Sequence, residues 1–144
     1  MTDELETRLR ALEDRSALWE LVSRYAMAVD DEDYEALRGL FAKDATFHGL
    51  QGEPAEGRDA IVAYLNHRAA TAHRSRVHTP TSQVLDGVGS DSVEGTVACY
   101  AALFGTDDSK TFFAFRYADR YVREDGRWQF ASRRVHDLTH IIND

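Results

Sequence analysis

His78 and Asp30 are the two residues whose types and placement best suit proton chemistry. His78 stands in Arg74-Ser75-Arg76-Val77-His78-Thr79-Pro80-Thr81, at the start of a stretch with strand character, and Asp30 closes a helix-patterned segment whose apolar face carries Tyr25 and Val29. A carboxylate that accepts the Nδ1 proton of an imidazole fixes its tautomer and stabilises the imidazolium formed when Nε2 removes a substrate proton. The pair would make His78 a general base. Taken alone, a strand histidine reads as a hydrogen-bonded interior or rim residue. Asp31 and Asp33 compete for the carboxylate role, with capping and solvation as their ordinary uses. Asp30 is preferred because it continues the Tyr25, Ala26 and Val29 face.

Other constellations are weaker. Arg133 and Arg134 alternate along the last strand, so only one can face inward, where a guanidinium in an apolar cavity would bind a carboxylate, a carbonyl or a departing anion. His136 and His140 are four apart, as in a helical zinc motif, but Asp137 stands where glutamate is expected and the segment follows a strand, so a polar tail is the better reading. His73 and His78 sit among Arg68, Arg74 and Arg76, whose charge opposes a cation. No metal is expected. Cys99 lies amid Val97, Tyr100 and Ala101 and reads as a buried small hydrophobe. The glycine patterns that cradle nucleotide phosphates and the Gly-x-Ser-x-Gly nucleophile elbow are missing, so no cofactor is expected.

Composition narrows the class. The 144 residues carry 17 Lys+Arg against 25 Asp+Glu, a formal charge of −8, which repels phosphate backbones and anionic membranes. Neither nucleic acid nor membrane is expected as a partner. A single cysteine forbids an intrachain disulfide. Residues 1–15 are charged throughout with no apolar signal region, so the reading is a cytoplasmic protein.

The elements that must position these residues follow from periodicity. Apolar positions from Leu5 through Leu9 and Leu12 to Leu18, Leu21, Tyr25 and Val29 recur at three- and four-residue steps and predict a helical face, best from Asp14 onward. Asp33 N-caps a second helix over Tyr34–Phe41. A strand over Ala45–Leu50, a glycine-rich loop and a third helix from Gly57 to about Ala72 come next. Four strands close the chain, Val77–Leu85, Ser92–Phe104, Thr111–Glu124 and Arg127–His136, joined by hairpin turns at 86–89, 105–109 and 125–126. This order predicts one α+β domain over residues 1–144, with helices gathered on one face of a strongly curved antiparallel sheet.

Leu40-Phe41-Ala42-Lys43-Asp44-Ala45-Thr46-Phe47, Gly57-Arg58-Asp59-Ala60-Ile61, Tyr117-Ala118-Asp119-Arg120-Tyr121 and Asp125-Gly126-Arg127-Trp128, in this order over about residues 8–138, resemble the SnoaL-like branch of the nuclear transport factor 2-like superfamily. The resemblance implies a cone: a curved, mostly antiparallel sheet wrapped over three N-terminal helices, with a deep pocket in its mouth. It also implies chemistry. Tyr25, Asp30 and His78 are similar to the catalytic set of the scytalone dehydratase, dehydrochlorinase and bile-acid 7α-dehydratase branch, and the pocket arginine of that branch falls on Arg133. The expectation is therefore a cofactor-independent lyase or isomerase acting on a small apolar cyclic or polyketide-like substrate. His78 is the base, Asp30 its orienting partner, Tyr25 a hydrogen-bond donor and Arg133 a stabiliser of negative charge. The alternative is a non-catalytic ligand-binding or oligomerisation subunit, like the small subunit of a ring-hydroxylating oxygenase. A homo-oligomer, dimer or trimer, is expected through the outer face of the sheet.

Overall fold

The computed structural model describes residues 2–69 and 73–143, with the side chains of His73, Arg74, Ile142 and Asn143 excepted. Helix α1 (Thr2–Asp30) leads into α2 (Tyr34–Leu40), strands β1 (Phe41–His48) and β2 (Ala55–Glu56), and helix α3 (Arg58–Ala69). Four long strands follow: β3 (His73–Asp86), β4 (Ser92–Gly105), β5 (Lys110–Glu124) and β6 (Arg127–Asn143). They form one six-stranded sheet in the order β2-β1-β6-β5-β4-β3. Among the described residues β1 and β6 pair in parallel and the other neighbouring strands run antiparallel. Three helices on a curved, mostly antiparallel sheet make the α+β arrangement that the element order predicts and the cone that the resemblance implies. Among the described residues no helix is long and apolar enough to cross a membrane.

Differences from the sequence reading have local causes. Phe41 opens β1 in extended backbone and ends α2, because its fully buried ring packs with Phe130 and Tyr25 on the sheet's inner face. The third helix is described only to Ala69; the turn expected as far as Ala72 lies outside the described residues. The last strand continues to Asn143 and takes in the segment His136–His140, which is neither tail nor helix.

Helix α1 carries two apolar stripes. Leu18, Leu21, Val22 and Tyr25 are buried against the sheet, whereas Leu5, Leu9 and Leu12 are 64%, 53% and 64% exposed. At ~100° per residue the two sets fall on opposite sides of the helix, so the expected single face is two. The core-facing side is pinned by Asp14, whose carboxylate accepts from Arg123 Nη1 at 2.7 Å and from Trp128 Nε1 at 3.1 Å. At its C-terminus α1 ends where Glu32 adopts φ 55°, and Asp33 accepts from the Ala36 N–H at 3.0 Å to start α2. Asp33 is thus occupied as the expected cap.

Strict alternation fails on β6. Tyr121 pairs with Phe130 and Arg120 with Ser132, leaving Ala131 as an extra residue. This β-bulge resets the pleat, so Phe130 and Arg133, three apart, both face the interior. Arg133 is fully buried, while Arg134 is exposed.

Candidate active site

The hollow between the helices and the inner sheet face is a cavity of about 390 Å³. Its wall follows the strand register. His78 pairs with Ala101, Ala101 with Phe113, and Phe113 with His140, and all four line the cavity. Tyr25 of α1, Phe47 of β1, Tyr117 of β5 and Tyr64, Leu65 and Arg68 of α3 add to the lining. At 49 the backbone lies against the end of the Tyr64 side chain, and a Cβ there would fall on the Tyr64 hydroxyl and ring, so that side chain would have to shift.

Asp30 reaches His78 from the end of α1. Its Oδ1 lies 2.6 Å from His78 Nδ1, and its Oδ2 accepts the His78 backbone N–H at 2.8 Å. An ionised carboxylate only accepts, so Nδ1 carries the proton and Nε2 is the nitrogen left for the cavity. The two side chains are 16% and 18% exposed, so solvent screens the contact only in part. Asp31 is exposed, which leaves Asp30 as the carboxylate on the histidine.

Tyr25 lines the same cavity. Burial, opposed by the nearby Arg133 charge and by a hydrogen bond from Tyr117, holds its phenol well above the ordinary value. It is therefore a neutral O–H donor at physiological pH.

Arg133 is set one layer deeper. Its guanidinium lies 3.5 Å from the Tyr117 ring centroid and 4.3 Å from that of Tyr25, behind the cavity-lining rings. Asp119 takes its Nε at 2.9 Å and its Nη2 at 3.1 Å, with both side chains fully buried. Burial alone would lower the guanidinium pKa; the attraction of Asp119, with smaller contributions from Tyr117 and Tyr25, reverses this and raises it. The sequence reading placed this arginine directly in the cavity. The structure gives it a carboxylate partner and leaves it touching the cavity only through the tyrosines.

The sequence does not mark Asp119 as a buried acid. Tyr121 donates to its Oδ2 at 2.7 Å and Gln83 donates to the Tyr121 hydroxyl at 3.2 Å, which extends the polar network inside the core, while Arg133 Nη1 is buried with no hydrogen-bond partner among the described residues. The one signal available was its place between Tyr117 and Tyr121 on an alternating strand, which aims all three to one face. Arg76, which the sequence reading treats only as a charge opposing a cation, is a second such residue. It shares the inward face of β3 with His78 and lines the cavity, as the two-residue spacing could have shown.

The remaining candidates separate. His140 joins the cavity wall with its ring edge-on to Phe113 at 5.3 Å, whereas His136 is not part of the lining and sits 3.1 Å from the Asp137 carboxylate. Asp137 itself adopts φ 55° at an irregularity of the β5–β6 pairing. Among the described residues no group of three or more side chains has metal-binding geometry. Burial pushes the Cys99 thiol up to about 11, so the thiolate needed for nucleophilic work is scarce.

A cone with a side-chain-lined cavity in its mouth defines the nuclear transport factor 2-like class. Within it the SnoaL-like domain matches residues 10–134, and the chain belongs to that family. Solved structures agree on the fold. A hexachlorocyclohexane dehydrochlorinase, LinA type 2, is 21% identical with a TM-score of 0.84, covering 94% of this chain and 93% of its own. A candidate scytalone dehydratase from Novosphingobium aromaticivorans is 25% identical with a TM-score of 0.80, covering 96% and 91%. A candidate aromatic ring hydroxylase from the same organism is 24% identical with a TM-score of 0.80, covering 90% and 94%. No curated protein matches the sequence.

Proposed function

We propose that the protein is a cofactor-independent lyase or isomerase that uses the Asp30–His78 pair to remove a carbon-bound proton from a small, mostly apolar cyclic or polyketide-like substrate. The observation that carries the reading is the double contact of Asp30 with the ring and backbone of His78, which fixes the imidazole at the cavity wall. Resemblance to the dehydratase branch supports it.

In an elimination, His78 Nε2 takes the proton from carbon and the C–H electron pair becomes the new double bond. The bond to the β substituent breaks. A leaving hydroxide receives that proton from the imidazolium and departs as water; a halide departs as the anion, and the proton passes to solvent. Tyr25 donates a hydrogen bond to the carbonyl or leaving group. Arg133 acts from behind the Tyr25 and Tyr117 rings, where its charge favours a hydroxyl that gathers negative charge at its oxygen. In an isomerisation the same base returns the proton at another carbon.

The protein is proposed to work as a homo-oligomer in the cytoplasm. Turnover of a panel of β-hydroxy and β-halo carbonyl compounds by wild type and His78→Ala tests the reading. The expected result is turnover that disappears in the variant. A panel that wild type binds in the cavity but never transforms would favour the ligand-binding subunit.

A further inference from the structure

The cavity lining contains two arginines, Arg68 and Arg76, and no carboxylate among the described residues, in a chain of formal charge −8. Arg76 lies opposite Leu103 as His78 lies opposite Ala101. Its side chain is only 10% exposed. The Nη2 donates to Glu32 at 2.6 Å, but Nε is buried with no hydrogen-bond partner among the described residues. Leaving a buried guanidinium N–H unmet is unfavourable. Glu32 does not remove the cost, since it is 52% exposed and engages a different nitrogen. A planar oxyanion is the acceptor to which a guanidinium edge donates best.

We infer that Arg76 binds a carboxylate on the ligand, so that the cavity takes an amphiphilic acid. Its apolar body rests against Leu103, Phe113 and Leu138, and its carboxylate against Arg76. Two strand positions separate Arg76 from His78, about 6.6 Å along β3. The carboxylate is therefore an anchor, and the carbon that faces His78 Nε2 lies several bonds away. The inference deepens the proposed function by naming the substrate class, and binding can be read without turnover.

Calorimetric titration of the full chain with 2-naphthoate and with 2-naphthamide tests it. Wild type binds the acid roughly tenfold or more tightly than the amide, a ratio set by one charge-assisted contact. Arg76→Gln equalises the two, Arg76→Lys keeps part of the preference, and His78→Ala, which stops turnover, keeps all of it. Equal affinities in wild type, a preference that survives Arg76→Gln, or no binding of either compound overturns the carboxylate site. A wild type that transforms neutral substrates while showing no acid preference would sink this site and leave the base intact.

A separate surface points to a second copy of the chain. Leu5, Leu9, Leu12 and Trp19 form an exposed stripe on α1, at the 4-3-7 spacing of a heptad seam with Leu9 and Ser16 at position a and Leu5, Leu12 and Trp19 at d. The flanking positions are sorted by charge. Position e holds Glu6, Glu13 and Glu20; position g holds Arg8 and Arg15. In a parallel, in-register pair each g side chain meets the partner's next e, which sets arginine against glutamate; antiparallel pairing sets like charges together. Glu20 also reaches Arg24 on its own helix at 3.1 Å, an exposed contact that pairing can share. Because α1 is already anchored on the domain from Asp14 onward, its N-terminal turns extend a formed helix and need no new nucleus. The seam faces away from the sheet, so a two-fold axis along it places the two domains on opposite sides.

We propose that α1 forms this parallel two-stranded coil with a second copy of the chain. Leu9→Cys at an a position is expected to give a disulfide-linked dimer on mild oxidation, and Leu5→Ser/Leu12→Ser to yield a monomer by sedimentation equilibrium. Arg8→Glu/Arg15→Glu is expected to weaken the dimer, and adding Glu13→Arg/Glu20→Arg to restore it. A wild-type monomer, or an oligomer that persists in the leucine variants as pairing through the outer sheet face would, contradicts the proposal.

Discussion

The carboxylate of Asp30 holds His78 at two atoms, the ring Nδ1 at 2.6 Å and the backbone N–H at 2.8 Å. The second contact matters as much as the first. It ties the carboxylate to the strand that carries the ring, so the imidazole plane follows the backbone of β3. The end of α1 is thereby joined to β3 across 48 residues of sequence.

Replacing Asp30 by Asn should keep the backbone contact while removing the acceptor geometry that fixes the Nδ1–H tautomer. Turnover should fall by roughly 10²–10⁴ with little change in Tm. Steady-state kinetics beside a thermal melt would check this, and a large loss of stability with unchanged turnover per folded molecule would refute it.

Asp119 and Arg133 form a fully buried ion pair, and removing one partner strands the other's charge. Asp119→Ala should destabilise the fold by about 3–5 kcal/mol, whereas Asp119→Leu/Arg133→Met should be closer to wild type. Urea denaturation of the three proteins gives the comparison. Similar losses in the single and double variants would show that packing, and not the stranded charge, dominates.

Gly49→Ala drives a Cβ into the Tyr64 hydroxyl. Tyr64 must then swing aside or the loop and α3 separate, at a cost of up to about 3 kcal/mol, with weaker ligand binding in the cavity. Tyr64→Phe in the same chain should recover part of both. Failure of that second change to help would place the strain elsewhere.

Stability should decline at alkaline pH. Burial raises the Cys99 thiol from 9.0 to about 11 and raises the phenols of Tyr25, Tyr117 and Tyr121 above 10.0. Between the unfolded and folded values the folded chain binds more protons than the unfolded one, so stability falls as pH rises. The decline begins near pH 9 with Cys99 and steepens above 10.0 as the tyrosines join. Denaturant midpoints from pH 8 to 11 would register it; a flat profile would argue that these side chains are hydrated in the folded state.

Much of this was legible before the fold. The turns at 86–89, 105–109 and 125–126 and the Asp33 cap declared themselves because their chemistry is local. Continuity with the Tyr25, Ala26 and Val29 face favours Asp30 over Asp31 and Asp33, and the structure brings Asp30, not its neighbours, to His78. What stayed hidden depends on tertiary context. Periodicity cannot tell a stripe that meets the sheet from one that meets solvent, so Leu5 and Leu18 read alike. Nor does it reveal the bulge at Ala131 that aims Phe130 and Arg133 the same way. The burial of Asp119 was hidden because a charged residue on a strand reads as surface until its partner is known.

The general base is tested most directly by removing its ring and supplying it again. His78→Gly, with a substrate that wild type transforms, should lose roughly 10²–10⁴ of turnover, and added imidazole should restore a measurable part of it. Turnover in His78→Gly equal to wild type, with or without imidazole, would contradict the assignment of His78 as the base.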